Sequence, residues 1–264
     1  MGQNRGFAIV RGGGDLATGV IYRLWRAGFK VLCLETEVPL AIRRSVSAAQ
    51  AIFDGSCSIE GMMIKKISSF QCIDKSSNTV EILVDPYGSS IIEMRPDVLI
   101  DAVIAKRNLG TSKDMAPLVL ALGPGFSAPE DVHAVIETKR GHYLGRVITN
   151  GMSIPNTGIP GMEMGYTTER LLRAPADGKL ATDHCIGDKV RKGDLIGRID
   201  GVSFYAGIDG VLRGLIHPSV QVVEGLKIGD IDPRNEPEHC NTISDKALAI
   251  AGGVLEALFV FNAI

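Results

Sequence analysis

The chain has 264 residues, of which 45% are hydrophobic and 22% charged, and its net charge is −2. That length and balance suit a folded globular protein with a substantial core. They exclude a chain drawn to nucleic acid or an acidic membrane by overall charge, and no stretch reaches the roughly 18–20 apolar residues of a bilayer span.

Met1–Gly6 is polar, and the apolar Phe7-Ala8-Ile9-Val10 behind it is one strand long, too short for a signal-peptide core. Cytoplasm is therefore the expected compartment. Cys33, Cys57, Cys72, Cys185 and Cys240 are dispersed without a C-x-x-C pair, which predicts reduced thiols rather than a disulfide frame or a zinc site. After the first strand comes Arg11-Gly12-Gly13-Gly14-Asp15, and then a helical pattern in which Leu16, Val20, Ile21, Leu24 and Trp25 share one face. Gly28 stands where a C-terminal cap belongs, and Lys30–Leu34 reads as a second strand closed by Glu35. The spacing predicts a β-α-β unit with Gly12-x-Gly14-x-x-Ala17 at its first turn. Glu35, 21 positions after Gly14, stands near the spacing of a ribose-binding acid. Glycines there would let backbone amides approach a phosphate at a helix N-terminus. The same glycines also suit a tight turn that packs helix on strand, and the charge of Asp15 would repel a pyrophosphate.

Further along, Arg44–Phe53 reads as a helix stopped by Asp54-Gly55, and Gly61–Ile64 and Val80–Val84 read as strands. Asp97–Ala105 has the pattern of an interior strand running into Lys106-Arg107-Asn108. Leu118–Leu122 ends in Gly123-Pro124-Gly125-Phe126. Open α/β sheets bind ligands at the carboxyl ends of their strands. The loops Arg11–Asp15, Lys106–Asn108 and Gly123–Phe126 are therefore expected to line one crevice. The candidate ligand-binding residues are Gly12, Gly13, Gly14, Asp15, Glu35, Lys106, Arg107, Asn108, Gly123 and Gly125, with Lys106 and Arg107 supplying charge. Strand alternation places His133 and Glu137 on one face, with His142 at a following turn. These are weak candidates for a two-histidine, one-carboxylate metal site, because a His–Glu pair on a strand more often satisfies its own hydrogen bonds.

After Gly151 the composition shifts to a glycine- and proline-bearing linker that ends near Thr168. The segment Ala174–Asp200 then recurs at an offset of 32 residues as Ala206–Asp232, with ten identities in 27 positions. Each copy reads Ala-x-x-Asp-Gly-x-Leu, then Val-x-x-Gly-x-x-Ile-Gly-x-Ile-Asp. The pattern resembles the hammerhead halves of biotinyl and lipoyl carrier domains. No lysine occurs between Lys192 and Lys227, so no covalent biotin or lipoyl group is expected. Ser244–Ala263 reads as one helix capped by Ser244, with an apolar face of Leu248, Ala251, Leu255, Leu258 and Phe259. The expected fold is a Rossmann-like α/β domain (residues 1–168), a small duplicated β-domain of barrel-sandwich type (169–235), and a C-terminal helix (236–264) packing back on the first domain.

Several motifs together resemble one family. Arg11-Gly-Gly-Gly-Asp-Leu-Ala-Thr-Gly19, Ala41-Ile-Arg-Arg44, Ala105-Lys-Arg-Asn108, Leu122-Gly-Pro-Gly-Phe126, Asp131-Val-His-Ala-Val-Ile-Glu-Thr138, Arg140-Gly-His142 and Leu144-Gly-Arg-Val147 are similar to the YqeB family of selenium-dependent molybdenum hydroxylase accessory proteins. The likeness continues to Ser244-Asp-Lys-Ala247 and Gly252-Gly-Val-Leu-Glu256, and the first domain is similar to that of XdhC-type molybdenum cofactor chaperones. The resemblance implies a cofactor-handling accessory protein rather than a metabolic enzyme. It would bind a molybdopterin-type cofactor or a nucleotide and meet an apo molybdenum hydroxylase, and it transfers no catalytic residue. An NAD(P)-dependent oxidoreductase using Gly12, Gly14 and Glu35 with a dinucleotide, and a non-catalytic scaffold, are the alternatives. No nucleic-acid or membrane partner is expected, and a homodimer is the default assembly.

Overall fold

The structure is a computed structural model that describes residues 5–74, 76–158 and 160–263. Among these the chain divides into two compact units, Met1–Glu37 with Ser47–Thr157 and Ile243–Ile264, and Val38–Val46 with Gly158–Thr242.

The first unit is built on a nine-stranded sheet. Its strands are β1 (Phe7–Arg11), β2 (Lys30–Glu35), β3 (Ser56–Ile59), β4 (Met62–Ile67), β5 (Val80–Val84), β6 (Val98–Asp101), β7 (Leu118–Leu122), β9 (Ala134–Ile136) and β10 (Val147–Ile148), with β8 (Ser127–Ala128) and β11 (Gly151–Met152) paired apart. The order is β10-β9-β7-β6-β1-β2-β5-β4-β3. The seven middle strands run parallel, while β3 pairs antiparallel with β4 and β10 antiparallel with β9. Apolar runs such as Leu118–Leu122 are buried along their whole length, as the middle strands of a covered sheet must be. Among the described residues, two helices exceed two turns: α1 (Asp15–Arg26), and a C-terminal helix after the short α2 (Gln50–Asp54) and α3 (Ser90–Met94), namely α4 (Asp245–Val260).

α4 lies on α1, with Ala247 meeting Gly19, and the Ser244 hydroxyl caps it by accepting from Ala247 N at 3.2 Å. Its buried face is Ala247, Ile250, Ala251, Val254, Ala257 and Leu258, whereas Phe259, expected to be apolar-faced inward, is 63% exposed.

In the second unit, β12 (Leu171–Arg173), β14 (Lys189–Val190), β17 (Gly210–Leu215) and β18 (Lys227–Asp232) form one antiparallel sheet in the order β12-β18-β17-β14. A second consists of β13 (Leu180–Ala181), β15 (Leu195–Ile199) and β16 (Val202–Tyr205).

These sheets correct the expected Rossmann-like domain with a barrel-sandwich. The large sheet is mixed, with an antiparallel pair at each edge, and the β6–β7 and β7–β9 connections carry short 3-10 or irregular turns in place of crossover helices. The small sheets are unequal because the second repeat recruits chain from outside the duplication. β12 borders β18, and Leu215 N donates to Ile42 O at 2.8 Å. The expected helix over Arg44–Phe53 is likewise a 3-10 turn at Arg44–Val46 followed by the short α2.

The repeat identities nonetheless have a structural reason, because each copy completes the other. Gly193 N donates to Ala206 O at 2.8 Å, and Gly225 N to Ala174 O at 2.9 Å. Asp209 Oδ1 accepts from Lys192 N, and Asp177 Oδ1 from Glu224 N, both at 2.7 Å. Val190 pairs with Gly210, and Val222 with Gly178. Leu180, Leu212, Val190, Val222, Ile199 and Ile231 are all buried. Because the two aspartates do the same work, Asp177→Ala and Asp209→Ala should each lower stability by about 1 kcal/mol. Urea unfolding of the two single variants checks this, and a cost confined to one of them would contradict the symmetry.

Candidate functional site

The carboxyl ends of β1, β2, β6, β7 and β9 meet at one end of the large sheet. The loops that follow them are held together by backbone approaches that only glycine allows. Gly12 has φ 93°, and a Cβ there would lie 2.9 Å from Ala102 O and 3.1 Å from Val103 Cα. Gly125 has φ 113°, and its Cβ would lie 2.6 Å from both N and Cα of Arg107. The loop after β1 therefore rests on the loop after β6, and the loop after β7 rests on Lys106-Arg107. Gly123, at φ 74°, packs against the Thr138 side chain, and its N donates to Ile136 O at 2.9 Å.

The loop after β6 is also strained. Ile104 at φ 58° and Lys106 at φ 64° occupy the left-handed region, which is rare for any side chain and exceptional for a β-branched one. Such strain persists only where surrounding structure over-determines it, and it clusters at ligand sites. The turn stops β6 at Asp101, four residues short of the expected Ala105. Val103, Lys106, Arg107 and Leu109 are exposed on it.

Below the loop lies a buried polar network. Arg11 Nη1 donates to Thr111 Oγ1 and, at 3.4 Å, to Asp101 Oδ2, while Arg11 Nη2 reaches Pro86 O at 3.4 Å. Thr111 Oγ1 donates to Asp101 Oδ2 at 2.5 Å. Asn108 closes the turn, accepting from Gly110 N and Thr111 N and donating to Thr111 O, each at 2.8 Å. Asn108 thus shapes the loop that carries the two cations.

The α1 N-terminus is occupied by acidic side chains. Glu35 Oε2 accepts from Gly13 N at 3.4 Å, and Asp15 Oδ1 from Leu16 N at 2.9 Å. Gly13 is further enclosed by Ala49, whereas Gly14, the N-cap residue, has open space where a side chain would be. Burial raises the Glu35 carboxyl above its ordinary value, against the lowering by the Gly13 and Thr36 amides. A raised carboxyl stabilises the fold most below its ordinary pKa and loses that contribution as pH rises through the folded value. Stability should therefore fall with pH above about 4.5, and Glu35→Gln should remove that component. Melting temperatures of both proteins from pH 4 to 7 check it, and parallel curves would contradict it.

Lys246, in the first turn of α4, is a residue that sequence reasoning missed. It is half-buried, and burial pushes its ammonium down against the opposing pull of Asp15, Glu137 and Asp245. A lysine in a first helical turn opposes the helix dipole, which was the available signal. Beside it Arg140 forms a bidentate pair with Asp245 at 2.9 and 3.1 Å. The carboxyl end of the sheet thus carries Lys106 and Arg107 on the loop after β6, Asp15 beyond β1 and Glu35 at the end of β2, with the charge of Lys246 in reach of Asp15; such a set of cations and carboxylates suits a ligand with both an anionic and a hydrogen-bonding part.

The weak metal candidates do not converge. His133 precedes β9 and Glu137 follows it, which at about 3.3 Å per residue puts them roughly 13 Å apart. His133 Nδ1 accepts from Val119 N at 3.0 Å, Glu137 accepts from Lys139 N at 2.7 Å and Ile154 N at 2.8 Å, and His142 packs edge-on against Tyr143. Among the described residues no group of three His, Cys, Asp or Glu side chains is placed to hold a metal ion. All five cysteines are free, with Cys33 fully buried and its thiol pushed well up by burial. No described helix is long and apolar enough to cross a membrane.

A mixed α/β sheet whose glycine-bearing loops pack on one another at the strand carboxyl ends is the class of protein that these features define. No family model matches the chain. It is 48% identical over 254 residues to the YqeB protein of Escherichia coli (strain K12), covering 96% of this chain, and this likeness supports the YqeB family name for it. The chain spans about half (47%) of that relative's length. Among solved structures, a succinylglutamate desuccinylase from Silicibacter sp. TM1040 aligns over 87% of this chain and 85% of its own at 14% identity and TM-score 0.25. The ectoine utilization protein EutE (DoeB) of Ruegeria pomeroyi aligns over 86% and 84% at 12% identity and TM-score 0.26. Superpositions this loose carry no argument about fold or chemistry.

Proposed function

We propose that this protein is an accessory factor that binds a molybdopterin-type cofactor or a nucleotide in the crevice of the large sheet and delivers it to an apo molybdenum hydroxylase of the selenium-dependent kind. One observation carries the reading: the packing of Gly12 on Ala102-Val103 and of Gly125 on Lys106-Arg107, which brings the candidate loops to one end of the sheet. Lys106 and Arg107 hold the anionic part of the ligand there. Glu35 and Asp15, as acceptors at the glycine loop, meet its hydroxyl or amino hydrogens, and the glycine amides are not the main phosphate cradle. The motif resemblance supplies the molybdenum hydroxylase context, and the YqeB likeness supports the family name alone.

The test is deletion of the gene in a host that makes such a hydroxylase, complemented with the wild type or with Lys106→Glu/Arg107→Glu. Loss of hydroxylase activity and selenium content that only the wild type restores supports the reading. Unchanged activity and selenium content after deletion overturn it.

A further inference from the structure

The backbone around Lys246 is pinned on both sides. Its predecessor Asp245 holds Arg140 in the bidentate pair at 2.9 and 3.1 Å, which ties the start of α4 to the turn after β9. Its successor Ala247 packs on Gly19 so closely that a Cβ on that glycine would lie 2.8 Å from Ala247 Cβ. Gly19 comes four residues after Asp15, so the two share one face of α1. Lys246 is thereby fixed between the first turn of α1 and the end of β9. There Glu137 is 2% exposed, and its carboxylate accepts from the amides of Lys139 and Ile154.

This setting does not suit an ammonium. Lys246 is half-buried, and among the described residues its Nζ makes neither a hydrogen bond nor an ion pair. The amides of a first helical turn present partial positive charge to it. Burial pushes its amine below the ordinary lysine range against the pull of Asp15, and Arg140 adds to the lowering while Glu137 and Asp245 oppose it. Lost hydration and a neighbouring cation are the two conditions that free a lysine of its extra proton and make it a nucleophile. Gly14, immediately before Asp15, has nothing within 4 Å of where a Cβ would lie, so there is open space at this end of α1.

We propose that Lys246 is a nucleophilic amine that forms an imine with a small aldehyde or ketone. The neutral amine adds to the carbonyl carbon, and a C–N bond forms as the C=O π pair moves to oxygen. Both amine hydrogens pass to that oxygen, which leaves as water when the C–O bond breaks. The half-buried position shields the imine from the water that would reverse the step. This chemistry is independent of cofactor delivery and uses neither Lys106 nor Arg107.

Reductive alkylation of the full chain with limiting propanal and cyanoborohydride, followed lysine by lysine by peptide mass spectrometry between pH 6 and 10, tests the proposal. At pH 7 Lys246 is expected to be alkylated roughly tenfold faster than the exposed Lys139 and Lys189, and its rate should level off at a lower pH than theirs. Lys246→Arg keeps a cation at the position, so the variant should fold, as circular dichroism checks. It should lose the fast equivalent and leave the other lysines unchanged. Alkylation of Lys246 no faster than that of Lys139 overturns the proposal and assigns the side chain to a stem lying over apolar surface with its head in water. A fast rate that follows the same pH profile as the exposed lysines also overturns it, because exposure alone would then explain the rate.

Discussion

Replacing Arg11 with methionine is expected to lower the unfolding free energy by about 3–5 kcal/mol. Arg11 is 4% exposed at the end of β1, and the Asp101 carboxylate it meets is 2% exposed at the end of β6. Methionine fills the volume of the arginine stem but leaves Asp101 and Thr111 in a dry place without their cation. Removing one partner of a buried pair leaves an uncompensated charge, which is where most of the cost arises. The effect should be largely undone by Asp101→Asn in the same chain, because a neutral amide needs no cation. Urea denaturation of the single and double variants checks both parts. A loss under about 1 kcal/mol in the single variant would mean that the network is solvated and does not hold the loop after β6 in place.

The second large effect comes from two neighbouring glycines in α4. Gly252 faces open space, and alanine there should stabilise by about 0.5–1 kcal/mol, the ordinary gain of removing a glycine from a helix interior. A Cβ on Gly253 would instead overlap Gly145 O and come within 2.9 Å of Ile136 Cγ2, while Gly145 itself lies close against the backbone of Ala249. Gly253→Ala must push α4 away from the turn between β9 and β10, at a cost of about 1–3 kcal/mol or more. Adjacent substitutions of the same kind should therefore move the melting temperature in opposite directions. Movement of both in the same direction would contradict the packing of α4 on this unit.

Much of the local structure is legible in the sequence, because it depends on patterns within a few residues. The 3.6-residue spacing of Val20, Ile21 and Leu24 defines the buried face of α1, and all three are fully buried. Ser244 announces the start of α4, and continuous apolar runs announce β1, β2 and β7. Strand order and direction are not legible in this way. Nothing local says that Val147–Ile148 runs against Ala134–Ile136, whereas the antiparallel return of Ser56–Ile59 on Met62–Ile67 has a local cause in the two-residue turn Glu60-Gly61. The Rossmann-like domain is therefore the wrong extrapolation from one good β-α-β unit.

Range also defeats local reading at the candidate site. Val38–Val46 belongs to the second unit although it follows the second strand of the first, and its tie is the long-range bond from Leu215 N to Ile42 O. His133 and Glu137 share a strand face by alternation, yet the same rise that sets the alternation separates them beyond any metal's reach. The three glycine-bearing loops were legible as strand ends. Their mutual contacts depend on backbone approaches such as that of Gly125 to Arg107, which no single segment encodes. Lys246 comes within charge range of Asp15 from a helix 231 residues later in the chain.

The most direct test of the account is native mass spectrometry, with pterin and nucleotide analysis, on the protein purified from a host that makes molybdenum cofactor. The account predicts a bound pterin or nucleotide species that is retained by the wild type and lost from Lys106→Glu/Arg107→Glu, with the fold of that variant intact by circular dichroism. A ligand retained equally by the charge-reversed variant, or a wild-type protein that carries none and takes up none when molybdopterin or nucleotide is added, would contradict it.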